Sequence, residues 1–315
     1  MSEALTYDDV LLVPSYNHWE SRKVVDTNIT DRSGLLSLEI PVMTSNMDTI
    51  TEVDMANFIR SKGGVGVLHR FMSIEENVKM LEVCNSPVFV SVGCSEEDLQ
   101  RAEALRDANA GFFCIDVAHA HAKYVGRTLK NLREMLGKGA CIMAGNVATY
   151  AGADYLASCG ADIIKVGIGG GSVCTTRIKT GFGVPNLTAI KDCTRVDRSV
   201  VADGGIRNPG DIVKALAFGA DFVMIGSMLA GTRPTPGKVI TRTTEDCIVT
   251  RPRCDLVVSL FCLNNVGGTA TRDHVISRTG QHIFDAPNFI YAGLNTGCTL
   301  CGQINIQIGR DISKI

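Results

Sequence analysis

Short apolar runs return at a nearly regular interval along this chain, and their spacing constrains the fold more than any other feature. Candidate strands begin near Pro41, Val65, Val88, Phe112, Cys141, Asp162, Ser199 and Asp221. Most starts are roughly 21 to 29 residues apart, the length of one strand plus one helix, and the runs are apolar throughout, as in a parallel sheet buried on both faces. Eight such units predict an α/β fold, a single-domain (β/α)8 TIM barrel, rather than a doubly wound sheet.

Helix start signals stand between the apolar runs. Candidate N-termini are Ser73 with Glu76, Ser95 with Asp98, and Asn208 with Pro209. The first two pairs place a hydroxyl three residues before a carboxylate, which is the pattern of a capping box. The third supplies an asparagine cap and a proline at the first helical position.

The spacing also divides the chain. A barrel core accounts for residues 1–240, and residues 241–315 form a C-terminal region of their own. The sixth and seventh strand starts are about 37 residues apart, and the additional length lies in a loop at 167–185. Long loops in compact folds are usually functional, so this loop is the first place to look for chemistry.

Composition excludes several classes of partner. The chain has 315 residues and a net charge of −2, without a basic surface for nucleic acid or membrane. No apolar run reaches the roughly 18 residues of a membrane span, and Met1–Asp9 contains no apolar signal segment. Twelve cysteines are scattered through the chain, many inside apolar runs, which favours reduced thiols in a cytoplasmic protein.

The long loop carries a cysteine in an unusual setting. Four glycines within five residues follow the sixth strand, and Ser172-Val-Cys174-Thr-Thr176-Arg177 comes next. A cysteine on a glycine-rich loop, beside hydroxyls and a permanent cation, suits a thiolate nucleophile. A phosphate-binding turn in which Cys174 only packs fits the same residues. These residues alone leave both interpretations open.

Other polar residues gather where the strands end. Asp203-Gly204-Gly205 and Gly226-Ser227 close the seventh and eighth strands, where barrels often bind phosphate through backbone N–H groups. Asp203 suits either a ribose diol or a helix cap. Lys165, on the sixth strand, suits either a Schiff base or, more in keeping with its place, an interior lysine paired with a carboxylate.

Several motifs in one order resemble a known family. They are Leu5–Pro14, Ala144–Val147, Gly167–Arg177, Ala202–Ile206 and Phe222–Gly231. Together they resemble the IMP dehydrogenase and GMP reductase family over roughly residues 4 to 240.

The resemblance implies a role for each site residue. It makes Cys174 the nucleophile that attacks C2 of the purine and Thr176 the residue that moves protons. Substrate positions would be Ser45, Met47, Ser172, Asp203, Gly204, Gly205, Gly226 and Ser227. NADPH positions would be Arg70, Ser91, Gly93, Asp116, Val117 and Ala118. A potassium ion would lie on carbonyls of Gly169, Gly171 and Cys174, with Arg177 beside it, and the enzyme would be a homotetramer.

Within the family, the reductase pattern is favoured. His69 leads directly to the helix at Ser73, without the inserted CBS module usual in IMP dehydrogenases, and Lys179-Thr-Gly-Phe-Gly183 follows the loop. These features predict GMP reductase, acting on GMP and IMP. The alternatives are an IMP dehydrogenase core lacking CBS domains, and a nucleotide-binding paralogue with impaired catalysis.

The resemblance fails in one interval. Residues 241–291 lack both the family's base-binding motif and its flap glutamate, and Glu245 is the only glutamate after residue 240. Ala292–Gln303 then resembles the family's C-terminal helix again. Matching flanks around an unrelated middle indicate either an altered reading frame or a divergent flap, which sequencing of the coding DNA separates.

Overall fold

The computed structural model describes residues 4–236 except 18, 22, 23, 86 and 173. Its main sheet contains eight parallel strands: β3 (Val42–Thr44), β4 (Val67–Leu68), β5 (Phe89–Val92), β6 (Phe112–Asp116), β7 (Cys141–Val147), β8 (Ile163–Val166), β9 (Ser199–Asp203) and β10 (Phe222–Ile225). Neighbours along the chain are neighbours in the sheet, and β10 pairs with β3. A bridge from Met43 to Val65 closes the remaining gap. The predicted α/β TIM barrel is therefore confirmed.

Helices follow the strands around the outside. They are α1 (Val53–Arg60), α2 (Ile74–Glu82), α3 (Glu96–Asp107), α4 (Lys123–Leu136), α5 (Tyr150–Cys159), α6 (Thr176–Thr180), α7 (Asn186–Cys193) and α8 (Pro209–Ala217). All three predicted N-termini are present. The side chains of Ser73, Ser95 and Asn208 each accept a hydrogen bond from the backbone N–H three residues on, which satisfies donors that a helix end leaves free.

Two apolar layers hold the barrel together. Side chains such as Met43, Phe89, Met143 and Phe222 fill its interior, and alternate strand residues pack outward against the helices. This alternation follows from the two-residue repeat of a strand. Buried leucine, isoleucine and phenylalanine side chains each contribute about 1.5–3 kcal/mol, so burial of these two layers is a major source of the barrel's stability.

A small antiparallel hairpin covers the N-terminal end of the barrel. Its strands are β1 (Ile29–Thr30) and β2 (Ser37–Leu38), and Ile29 and Leu38 pack into the barrel interior. Arg32 lies beside Asp221 there, with Nη2 3.7 Å from Oδ1. Because the hairpin covers the N-terminal end of the barrel, the face at the carboxyl ends of the strands is the one that stays open.

The segment before β1 is attached to the outside of the barrel near that open face. Leu5 accepts hydrogen bonds from the N–H groups of Leu187 and Thr188 at 3.1 and 3.2 Å, so its carbonyl caps the N-terminus of α7. Lys214 Nζ donates to the Tyr7 carbonyl at 2.7 Å. Within the described part of the chain, no helix is long and apolar enough to cross a bilayer. The predicted C-terminal region, 241–315, lies outside the described residues.

Candidate active site

The cysteine loop leaves β8 and reaches α6 within nine residues of backbone. Cys174 is half-buried, and its Sγ donates to Thr176 Oγ1 at 3.2 Å. Its own N–H donates to the Gly171 carbonyl at 3.1 Å, closing a turn. The thiol therefore lies beside a hydroxyl, a group that both donates and accepts hydrogen bonds.

Arg177 holds the two ends of this loop together through hydrogen bonds. Its Nε donates to the Ile168 carbonyl at 3.4 Å, and its Nη2 donates to the Val184 carbonyl at 2.9 Å. The same Nη2 donates to Asn186 Oδ1 at 3.1 Å. These contacts go to the backbone and to Asn186, so the cation acts on Cys174 by shaping the loop that carries it.

Asn186 joins the cysteine loop to the turn after β9. Besides accepting from Arg177, it donates through Nδ2 to the Gly204 carbonyl at 2.6 Å. The two backbones come close here. Gly204 has a φ of +91°, and a Cβ on it would lie 2.9 Å from the Gly171 nitrogen. Only glycine meets both demands without strain.

A pocket opens between these loops. Its lining contains all eight residues predicted to bind substrate, together with Cys174: Ser45, Met47, Ser172, Asp203, Gly204, Gly205, Gly226 and Ser227. They come from the ends of β3, β8, β9 and β10, because parallel strands in a barrel bring their carboxyl ends to one face. The pocket therefore places a thiol opposite a carboxylate and two glycine turns.

A buried polar cluster lies beneath the pocket. Lys165 Nζ donates to Asp116 Oδ1 at 2.6 Å and to Asp203 Oδ2 at 3.3 Å, and it also donates to Asn146. Burial opposes the charge on Lys165, but Asp116 and Asp203 outweigh it and raise its pKa. Burial likewise opposes ionisation of Asp116, yet Lys165 holds the pKa of that carboxyl below its usual value. Lys165 is thus the predicted carboxylate-paired lysine.

Comparison with known proteins identifies the family. A family model described as the IMP dehydrogenase / GMP reductase domain matches residues 4–251, which is most of the chain and all of the barrel. The chain belongs to the IMP dehydrogenase / GMP reductase family. Members of this family are oxidoreductases that act on purine nucleotides with a nicotinamide cofactor, as its two named activities imply.

Relatives in the family carry both names. The GMP reductase of Lactobacillus johnsonii is 37% identical over an alignment covering 76% of this chain and 74% of that protein. The inosine-5'-monophosphate dehydrogenase of Cryptosporidium parvum is 36% identical, covering 76% and 70%. A crystal structure of inosine 5'-monophosphate dehydrogenase from Legionella pneumophila superposes with a TM-score of 0.81 and 60% identity, covering 95% and 94%.

The residues predicted to bind cofactor come from the ends of β4, β5 and β6, and none of them lines the pocket described above. Arg70 Nη1 is 3.8 Å from Asp98 Oδ1, while Gly93 is buried and Ala118 is exposed. Ser91 is fully buried, and its Oγ accepts from Asn46 at 3.0 Å. Asp116 and Val117 follow at the end of β6, and Asp116 is also a member of the Lys165 cluster. The cofactor role of this group stays a prediction.

Two asparagines of the site have no role in the sequence-based prediction. Asn146 lines the pocket and donates to Asp203 Oδ2 at 2.7 Å, and Asn186 connects the loops as described above. Asn146 lies near the end of β7 within one of the family motifs, and this position could have identified it as a site residue from the sequence. Asn186 follows Pro185 without any local pattern, and its partners become neighbours only in the folded barrel.

Proposed function

We propose that this chain is a GMP reductase, which converts GMP to IMP and ammonia with NADPH in purine nucleotide interconversion. The observation that carries the proposal is the Cys174–Thr176 pair, 3.2 Å apart, on a pocket that Asp203 and the Gly226–Ser227 turn also line. A nucleophile, a ribose acceptor and phosphate-binding backbone then face one ligand.

The proposed conversion of GMP to IMP takes place in two steps. The Cys174 thiolate adds to C2 of the guanine ring, and ammonia leaves with the electron pair of the C2–N bond, which gives a covalent thioimidate. Bound NADPH would supply the hydride that C2 takes up as the C–S bond breaks, which returns the Cys174 thiolate and releases IMP. One proton is consumed overall with ammonia as the product, and the Thr176 hydroxyl is the group that relays it to the departing nitrogen.

The reductase direction has two supports. The chain passes from β4 to α2 through only His69 to Ser73, without an inserted module, and it carries the reductase-like Lys179–Gly183 segment. A second candidate, IMP dehydrogenase with NAD, is favoured by the 60% identity to the Legionella pneumophila structure described by that name. The third, a nucleotide-binding protein with weak turnover, rests on the missing flap glutamate.

One set of assays separates the three candidates. Loss of NADPH absorbance with GMP supports the reductase, and NADH formation from NAD with IMP supports the dehydrogenase. GMP binding by calorimetry without either reaction supports the binding protein. In each active case Cys174→Ala should abolish turnover and keep nucleotide binding. A Cys174→Ala protein with wild-type turnover overturns the covalent mechanism.

The proposal includes a potassium ion at the cysteine loop. Carbonyl oxygens are the ligands that potassium takes in proteins, and Gly169, Gly171 and Cys174 supply three on a tight backbone. The Gly171 carbonyl already accepts from Cys174 but retains a second lone pair, so the set fits. The ion would fix the loop around the thiol. We expect several-fold higher activity in potassium chloride than in choline chloride at equal ionic strength.

The same proposal places the protein in the cytoplasm as a homotetramer. A net charge of −2 and the absence of an apolar segment long enough to span a membrane support the first part. Exposed apolar side chains on the N-terminal segment, Leu11, Val13 and Tyr16, support association between copies, since such patches mark interfaces. Light scattering of the purified protein gives the oligomeric mass directly.

A further inference from the structure

One buried ammonium connects the two halves of the barrel mouth. Lys165 is 2% exposed, and its Nζ contacts Asp116 on one side and Asp203 on the other, at 2.6 and 3.3 Å. Asp116 belongs to the predicted cofactor group and Asp203 to the nucleotide pocket. The lysine side chain is therefore the physical link between the two groups.

The cluster fixes one oxygen of Asp203. Lys165 and Asn146 both donate to Oδ2, and the hydrogen bonds described for this carboxylate leave Oδ1 without a protein donor. Because Asp203 lines the pocket, Oδ1 is the acceptor that remains for a ligand hydroxyl. A carboxylate with one oxygen held and the other open to the pocket is suited to a ribose hydroxyl.

The surrounding backbone makes room for this lysine. A Cβ on Gly145 would lie 2.5 Å from the Lys165 Cβ, so a side chain there would displace it. The β7–β8 register shifts between Gly145 and Val147, which places Asn146 at the irregularity. Such irregularities re-aim side chains near functional sites. The glycine and the register shift together allow Lys165 and Asn146 to reach Asp203.

A buried charge of this kind is a poor source of stability. Desolvating an ammonium and two carboxylates costs several kcal/mol per ion, and apolar replacement of buried ion pairs is often neutral or stabilising. Cys114 and Val201 belong to the buried apolar layer of the barrel interior, next to this polar cluster. The presence of Lys165 is better explained by what it does for Asp203 than by packing.

We propose that Lys165 is a positioning residue that orients Asp203 to recognise the ribose of a purine nucleoside monophosphate. It acts through the carboxylate and does not contact the reacting atoms. The inference rests on the proposed function, because it requires such a nucleotide in the pocket, and it adds a residue with a stated role in specificity.

Ribose preference tests this role. Calorimetry gives the dissociation constants of GMP and 2'-deoxy-GMP, and their ratio is the preference. In Lys165→Met we expect the preference to fall about tenfold, since one charge-assisted hydrogen bond contributes about that factor. Lys191→Met, which removes an exposed lysine from α7, should leave the preference unchanged. A general loss of packing would weaken both ligands equally.

Two further variants keep the test decisive. Lys165→Met combined with Asp116→Asn restores the charge balance of the cluster, so it guards against misfolding, and it should still lose the preference. In an Asp203→Asn background, Lys165→Met should change the preference no further. Additive effects, or an intact preference in the charge-balanced protein, overturn the inference.

Nucleotide binding by the wild-type protein separates a failure of this inference from a failure of the proposed function on which it rests. A wild-type protein that binds neither GMP nor IMP overturns the proposed function, and the inference falls with it. A wild-type protein that binds GMP and 2'-deoxy-GMP equally overturns only the inference, because a purine nucleotide is then bound without ribose recognition.

Discussion

Thr176 lies at the first residue of α6, where its hydroxyl accepts from the Cys174 thiol at 3.2 Å. Thr176→Val removes the hydroxyl at nearly constant volume. We expect kcat to fall by about 10²-fold or more, the usual contribution of a positioned proton-transfer group, with GMP affinity changed less than about threefold. Steady-state kinetics and calorimetry measure the two quantities. Thr194→Val is the control, since that hydroxyl donates to the Lys191 carbonyl on α7, outside the pocket lining. Wild-type kcat in Thr176→Val contradicts the assignment.

Asn186 offers a second test at the scale of a single side chain. Asn186→Leu leaves the Gly204 carbonyl without this donor and removes one of the three acceptors of Arg177. We expect a loss of about 1–3 kcal/mol in the free energy of unfolding, as for other buried polar groups left unpaired, and weaker GMP binding. Asn186→Asp keeps the acceptor for Arg177 and should recover part of the stability. Equal stability of the leucine variant and the wild type would contradict a bridging role.

The sequence predicts individual site residues unevenly. Asp203, Gly204 and Ser227 are predictable because each follows an apolar run, and barrel strands end at one face. Asn186 is not, because its partners stand 9 and 18 residues away in sequence and meet it only through loop packing. The pairing of Lys165 with a carboxylate is predictable in kind, but its second partner across the cluster is not.

At the scale of elements, the N-terminus of α3 depends on its capping box. Ser95 Oγ accepts from the Asp98 N–H at 3.1 Å, and Asp98 Oδ2 accepts from the Ser95 N–H at 3.0 Å. Ser95→Ala should lower the free energy of unfolding by about 1 kcal/mol. Ser158→Ala, at an exposed position of α5, should cost less than about 0.5 kcal/mol. Denaturant titrations of both variants decide the point; equal losses would mean that the cap contributes nothing.

Elements with strong local signals are predictable, and those without them are not. All eight barrel strands begin within about two residues of their predicted starts, because a strand buried on both faces must be apolar throughout. The β1–β2 hairpin has strands of only two residues, too short for a pattern to show. α6 is likewise too short, at five residues, and its start is set by the cysteine loop.

At the scale of the whole molecule, Asp221 makes stability depend on pH. Burial raises its pKa to about 6, while Arg32 and the Val200 N–H offset only part of that rise. The folded chain therefore holds a proton that the unfolded chain releases between about pH 4 and 6, so this group's contribution to stability falls as pH rises through that window.

Asp221→Asn removes that titration. Relative to the wild type, the variant should gain about 2–3 kcal/mol in unfolding free energy between pH 4 and pH 7, as a shift of about two pKa units implies. Denaturant unfolding of both proteins at the two pH values gives the difference. Asp154→Asn, at an exposed position of α5, is the matched control and should show a much smaller change. A difference between wild type and Asp221→Asn that does not vary with pH would contradict the assignment.

The pairing of β3 with β10 has a consequence for synthesis on the ribosome. One hydrogen-bonding edge of β3, the first barrel strand, stays unpaired until Phe222–Ile225 of β10 leaves the exit tunnel, because those residues are its partners. Nascent chains halted before that point would expose two unpaired edges and an unfilled interior, which favours aggregation. Cells making this protein should therefore rely on chaperone holding during most of its translation, and stalled chains should be found bound to such chaperones.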